Sequence, residues 1–237
     1  YKNPLNDQGI YYIHDDDDMM NGYAMLIGPE GTPYADGFYF FHLKFPYDYP
    51  YSPPVLKFIT RDYKNNTRFN PNLYIPGKVC LSVLNTWRGP GWTSCQTIST
   101  VLLTLISILN ENPMINEPSI DEKNPQVKIY NQIIEYRNLE VALLTNLNEV
   151  KNRLPTKCYP FNQIMKKCLE NNYQKIYERI EDLCENTEKK EVYCQFFEMK
   201  CLLDYEPIKN EYLEYCTYNN LSVEVGDGGK QKITKSQ

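Results

Sequence analysis

The sequence predicts an α+β fold, an antiparallel β meander followed by a largely helical second half. Three observations carry this reading. Before about residue 120, short strand-like runs alternate with clusters of Gly, Pro, Asp and Tyr. From residue 97 onward, apolar residues recur at helical spacing. With 42% hydrophobic and 23% charged residues over 237 positions, the chain can bury a substantial core.

The strand-like runs are "YAMLI" at 23–27, "FYFFHLKF" at 38–45 and "VLKFI" at 55–59, separated by "GPEGTPYADG" and "YDYPYSPP". In the second run Tyr39, Phe41, Leu43 and Phe45 share one face, so His42 and Lys44 are expected to face solvent. A helix is expected from residue 97, with Ile98, Val101, Leu102, Leu105, Ile106 and Leu109 on its apolar stripe and Asn112-Pro113 as its stop. Amphipathic helices follow over 125–150 and 161–184, a third over roughly 190–204, and a short one beyond Pro207. The tail "GDGGKQKITKSQ" lacks an apolar stripe and reads as mobile; its glycines lack the strand-to-helix context of a phosphate loop.

Charge and cysteine usage narrow the function. A net charge of -5 argues against nucleic acid or an anionic membrane as the main partner, since both need a basic face. The apolar run Val101 to Leu109 is too short to cross a bilayer, and the chain reads as soluble. Eight cysteines include no C-x-x-C pair, and with only His14 and His42 beside them no usual zinc site can be drawn. They read as structural thiols of a reducing compartment, cytoplasmic or nuclear. Asp15 to Asp18 reads as a solvated loop, because consecutive carboxylates repel and lack calcium-ligand spacing.

Cys80 differs from the other cysteines in its surroundings. It follows the turn-forming Asn70-Pro71-Asn72 and the bend at Pro76-Gly77, and precedes the "RGPG" loop between Trp87 and Trp92, the only tryptophans. A hydrolytic cysteine needs a base, and both histidines lie in early segments. Without a base, a cysteine can still exchange thioesters, where the incoming acyl group already departs from a thiolate. Such a site asks for a nucleophilic sulfur and an amide to steady the oxyanion.

At these residues the sequence resembles the ubiquitin-conjugating enzymes over most of its length. The resemblance runs through "GPEGTPYADGFYFFHLKFPYDYPYSPPVLKF", "NPNLY", "GKVCLSVL", Trp92, "TIS" at 97–99 and "NEP" at 116–118. The wording is most similar to the long type Z variety, and also to the conjugating domains of giant hybrid conjugating enzyme-ligases. It implies the ubiquitin-conjugating fold, a four-stranded antiparallel meander flanked by helices. It also implies Cys80 as the thioester-forming residue, Asn72 as the oxyanion amide, and Asn70 and Pro71 as their supporting loop. Glu117 matches an acidic position that orients or deprotonates the attacking lysine; read alone, it is a surface carboxylate in a turn. Leu103 and Ser107 match a donor-ubiquitin face, and the loops carrying Tyr51, Trp92 and Ser94 match the ligase-docking surface.

The expected plan is a catalytic core over 1–120, a helical extension over 121–222 and a flexible tail over 223–237. The family's first helix would end near Tyr1 to Pro4, so it is expected to be missing. Asn70-Pro71-Asn72 stands where the family commonly has His-Pro-Asn, a change the type Z and giant members share; Thr93-Ser94-Cys95 replaces the usual Ser-Pro-Ala. The implied partners are ubiquitin or a ubiquitin-like modifier, an activating enzyme, a ligase and substrate proteins. No metal or cofactor is expected, because the activating enzyme uses the ATP. The alternatives are a non-catalytic scaffold of the same fold and a cysteine hydrolase.

Overall fold

In the computed structural model, residues 5–148 and 151–224 are described. Strands β1 (Ile10–His14), β2 (Asn21–Ile27), β3 (Phe38–Lys44) and β4 (Val55–Phe58) pair in that order as an antiparallel meander. The last three fall on the runs expected from sequence. β1 is an addition to them, although its Ile and Tyr residues, bounded by left-handed Gly9 and the aspartate run, carry the usual strand signal. Its register runs from Ile10 opposite Leu26 to His14 opposite Gly22.

Helix α1 (Ile98–Ile108) buries Val101, Leu102 and Leu105. α2 (Pro125–Arg137) starts at Asn124, whose side chain accepts from the Gln126 amide, and continues into a π-helical stretch over Asn138–Thr145. α3 (Asn162–Asn186) and α4 (Tyr205–Tyr218) pack on each other. The expected third helix over 190–204 is instead a hairpin, β5 (Lys190–Cys194) with β6 (Met199–Leu203). Along β6, Met199, Cys201 and Leu203 are buried while Lys200 and Leu202 are exposed, a period of two that no helix could satisfy. Among the described residues the extension is thus helical with a β hairpin inside it.

β3 explains why the extension is there. Phe38, Tyr39, Phe40 and Phe41 are all buried, so both faces of the sheet are covered at this strand. On one face Tyr39 packs with Phe58 and Phe69, and its hydroxyl donates to Asn138 Oδ1 at 2.6 Å. On the other, Phe40 meets Phe161 edge to face at 5.9 Å. Asn138 also donates to the Ala35 carbonyl, and Asn146 donates to that of Phe38. The helix approaches so closely that a Cβ on Gly37 would lie 1.8 Å from Asn138 Oδ1.

Two surface expectations are corrected. His42 is half-buried rather than facing solvent: it stacks on Tyr23 and bonds Asn21 Oδ1 at 2.7 Å. Burial, then Lys57 and Lys44, push its pKa down. In the aspartate run Asp16, Asp17 and Asp18 are exposed as expected, but Asp15 is buried: Lys157 of the extension reaches across to it at 2.7 Å and also pairs with Asp17. Tyr1–Pro4 lie outside the described residues, as does the expected flexible tail beyond Glu224.

Candidate functional site

The segment from Arg68 to Cys80 leaves the sheet and is held at both ends. Asn70 is fully buried; its Nδ2 donates to Tyr34 Oη at 3.0 Å and to the Ile108 carbonyl at 2.8 Å, and its Oδ1 accepts from the Asn72 amide at 3.0 Å. Tyr34 in turn donates to the Phe69 carbonyl at 2.6 Å. Burial drives the Tyr34 phenol far above its ordinary pKa, so it stays a protonated donor. Pro71 presents its carbonyl to Arg68 Nη2 at 2.5 Å. Gly77, at φ +98°, turns the chain back so that its carbonyl accepts from Phe58 of β4.

This return brings Cys80 against Asn72. The Cys80 amide donates to the Asn72 carbonyl at 2.9 Å, and Asn72 Nδ2 donates to the Cys80 carbonyl at 2.7 Å. Asn72 Oδ1 is buried without a hydrogen-bond partner. A carboxamide nitrogen carries two protons, and one of those of Asn72 holds the Cys80 backbone. Cys80 itself is 1% exposed. After it, the Thr86 hydroxyl bonds the Val79 carbonyl at 2.9 Å and accepts from the Leu81 amide at 2.9 Å, closing the loop.

The structure therefore joins Cys80, Asn72, Asn70 and Pro71 in one hydrogen-bonded loop. Glu117 lies half-buried at the end of a short 3-10 turn after α1. Leu103 and Ser107 are exposed on α1, four residues apart on one face. Tyr51 and Ser94 are exposed. Trp92 is not: it is buried against Tyr49, its indole N–H donates to the Pro50 carbonyl, and its amide donates to Asn85 Oδ1. Trp92 thus ties the two expected docking loops together instead of forming their surface. Cys95 is exposed beside them.

Several residues of this network escape sequence reasoning. Tyr34 and Tyr130 support the loop from a distant turn and a helix, donating to the Phe69 and Arg68 carbonyls; Tyr34 lies inside the "GPEGTPYADG" run, but nothing in either local sequence gives it this role. Thr86 stands in "KVCLSVLNTW", text similar to the type Z variety, but nothing in that resemblance gives its hydroxyl a role. An open cleft of about 830 Å³, lined by Glu30, Asp36, Glu111, Lys175 and Arg179 among others, contains none of the expected site residues. Among the described residues, no three His, Cys, Asp or Glu side chains are grouped to hold a metal ion, and no helix is long and apolar enough to cross a membrane.

The family model described as Ubiquitin-conjugating enzyme matches residues 3–137. The chain is 39% identical over 186 residues to the Ubiquitin-conjugating enzyme E2 Z of Danio rerio, covering 78% of this chain and 53% of that one. It is 38% identical over 188 residues to the E2 Z of Homo sapiens, covering 78% of this chain and 50% of that one. The E2 domain of a Toxoplasma gondii ubiquitin conjugating enzyme is similar at 25% identity with a TM-score of 0.45, over 58% of this chain and 91% of that chain. The chain spans about half the length of the curated relatives it matches.

Proposed function

The chain belongs to the ubiquitin-conjugating enzyme family, and on that premise we propose that it carries ubiquitin or a ubiquitin-like modifier as a thioester on Cys80. The carrying observation is the pairing of Cys80 with Asn72 in a loop fixed by Asn70 and Tyr34. In charging, the Cys80 sulfur attacks the thioester carbonyl held by an activating enzyme; the new C–S bond forms, and the activating enzyme's cysteine leaves with the proton. In transfer, a lysine amine of a substrate attacks the same carbonyl, the C–S bond breaks, the amine loses a proton and the Cys80 sulfur is released. The second N–H of Asn72 steadies the oxyanion between these states. Glu117 orients or deprotonates the lysine, Leu103 and Ser107 face the donor modifier, and a ligase docks at the loops of Tyr51 and Ser94.

One observation favours a second reading, a non-catalytic scaffold: Cys80 is buried, so charging requires its surroundings to yield to the modifier's C-terminal tail. A hydrolase is disfavoured by the histidines, since His14 is bonded to Tyr12 and Met19, and His42 to Asn21. Incubating the chain with a panel of activating enzymes, labelled modifiers and ATP decides between them on a non-reducing gel. A reductant-labile adduct, made reductant-resistant by Cys80→Ser and abolished by Cys80→Ala, is expected. No adduct with any member of the panel favours the scaffold; an adduct undiminished in Cys80→Ala moves the site elsewhere, with exposed Cys95 the first to test.

A further inference from the structure

We infer that Phe197, in the turn of the extension's hairpin, is a positioning residue for Asn72, acting through Arg68. The inference rests on the conjugating chemistry proposed above but stands on its own geometry. The Arg68 guanidinium lies over two rings, 3.9 Å from the Tyr74 centroid and 4.7 Å from that of Phe197. Its edge donates from Nη2 to the Pro71 carbonyl, and its Nε is buried without a partner. A planar guanidinium held by two aromatic contacts and a hydrogen bond loses much of its freedom to turn, which keeps its fork oriented.

That fork acts on the one peptide that aims Asn72. The Pro71 carbonyl and the Asn72 N–H belong to the same planar unit. Arg68 holds its oxygen, and Asn70 Oδ1 holds its N–H at 3.0 Å. Fixing both ends fixes the rotation of this plane, and with it the direction in which the Asn72 side chain leaves the backbone. The hairpin braces the same segment twice more. Met199 Sδ accepts from the Arg68 amide at 3.3 Å, and Phe197 packs at 5.4 Å on Tyr130, whose hydroxyl donates to the Arg68 carbonyl at 2.9 Å. The hairpin therefore reaches the Asn72 loop through the Arg68 cation, through Tyr130 and through the Met199 sulfur, which gives the extension a part in catalysis distinct from covering the sheet.

The test uses the full chain, charged by its activating enzyme, with single-turnover discharge to free lysine. Phe197→Ala should lower the saturating rate on the order of tenfold while leaving the half-saturating lysine concentration unchanged, as expected for a misplaced group. Phe197→Tyr, which keeps the ring, should restore the rate. In an Asn72→Ala background, Phe197→Ala should cost nothing further, because its effect passes through that amide. Equal losses in both backgrounds, or a wild-type rate in Phe197→Ala, overturn the inference while leaving thioester formation on Cys80 intact. If Phe197→Ala fails to fold, Arg68→Lys, which keeps the charge and loses the planar fork, takes its place with the same expectations. A second measurement needs no modifier: backbone amide exchange at Asn72 and Cys80 should quicken in the uncharged variant while β2 and β3 stay protected. Unchanged exchange at those two amides overturns the inference even in a chain that never takes up a modifier.

Discussion

Replacing Asn72 by Ala separates forming the thioester from using it. The substitution removes the 2.7 Å bond to the Cys80 carbonyl, a loss of about 0.5 to 1.5 kcal/mol. It also removes Oδ1, a buried acceptor that has no partner, and this relief offsets part of the cost. A net destabilisation of about 1 kcal/mol corresponds to a melting temperature about 2 to 4 °C lower for a chain of this size. Loss of an oxyanion donor costs about 2.7 to 4 kcal/mol in the transition state, a factor of roughly 10² to 10³. The kinetic effect should therefore exceed the thermal one by a wide margin. Asn72→Ala should charge normally with labelled modifier and ATP, then discharge to free lysine at least a hundredfold more slowly while melting only a few degrees early. A rate loss of about fivefold, matching 1 kcal/mol, would reduce Asn72 to a loop pin. Wild-type discharge in a folded variant would remove it from the mechanism.

Two further predictions concern the junction of core and extension. Phe161→Ala empties a fully buried site against Phe40, and should cost about 3 to 5 kcal/mol, read as a large drop in melting temperature; a chain ended at residue 124 should aggregate or melt earlier still, and an equally stable fragment would refute the shared core. Lys157→Met tests the tether to the first turn. The Lys157 ammonium, then the Asp17 N–H, hold the Asp15 carboxyl below its ordinary pKa. A depressed carboxylate stabilises the fold above its unfolded pKa of about 3.9, and that contribution is lost as pH falls through the folded value. Lys157→Met should accordingly be less stable than wild type near neutrality and converge on it once the pH has fallen below the folded value of Asp15. A difference that persists unchanged at low pH would show that Lys157 acts through packing.

Much of this architecture could be read in advance because it is local. β2, β3 and β4 are short apolar runs bounded by turn residues, α1 and α3 are amphipathic over their length, and the Asn-Pro-Asn turn and Cys80 lie within eleven residues of each other. The hairpin at 190–203 was hidden because apolar residues on both of its strands imitate a helical stripe when counted without their alternation. His42 and Asp15 mislead for another reason. Alternation along β3 predicts a solvated face only where nothing covers it, and Tyr23 and Asn21 of the neighbouring strand cover His42, while Asp15 meets Lys157, 142 positions away. Trp92 turns inward to meet the Pro50 carbonyl, a pairing across 42 positions that no local pattern encodes.

The same distinction separates the chemistry from its support. Cys80 and Asn72 are visible because the proposed thioester chemistry needs few groups, and these two sit on one loop. What aims them is spread over the chain: Tyr34 before β3, Tyr130 on α2 and Phe197 in the hairpin all converge on residues 68–70. Each of these aromatics is also part of the packing between core and extension, so the loop is positioned by the surface that joins the two halves. A core without its extension would expose Phe40 and leave Arg68 with Tyr74 as its one flanking ring. Stability and site geometry should consequently fail together when that surface is cut away, and separately only where a substitution touches Arg68 or Phe197 without opening the sheet.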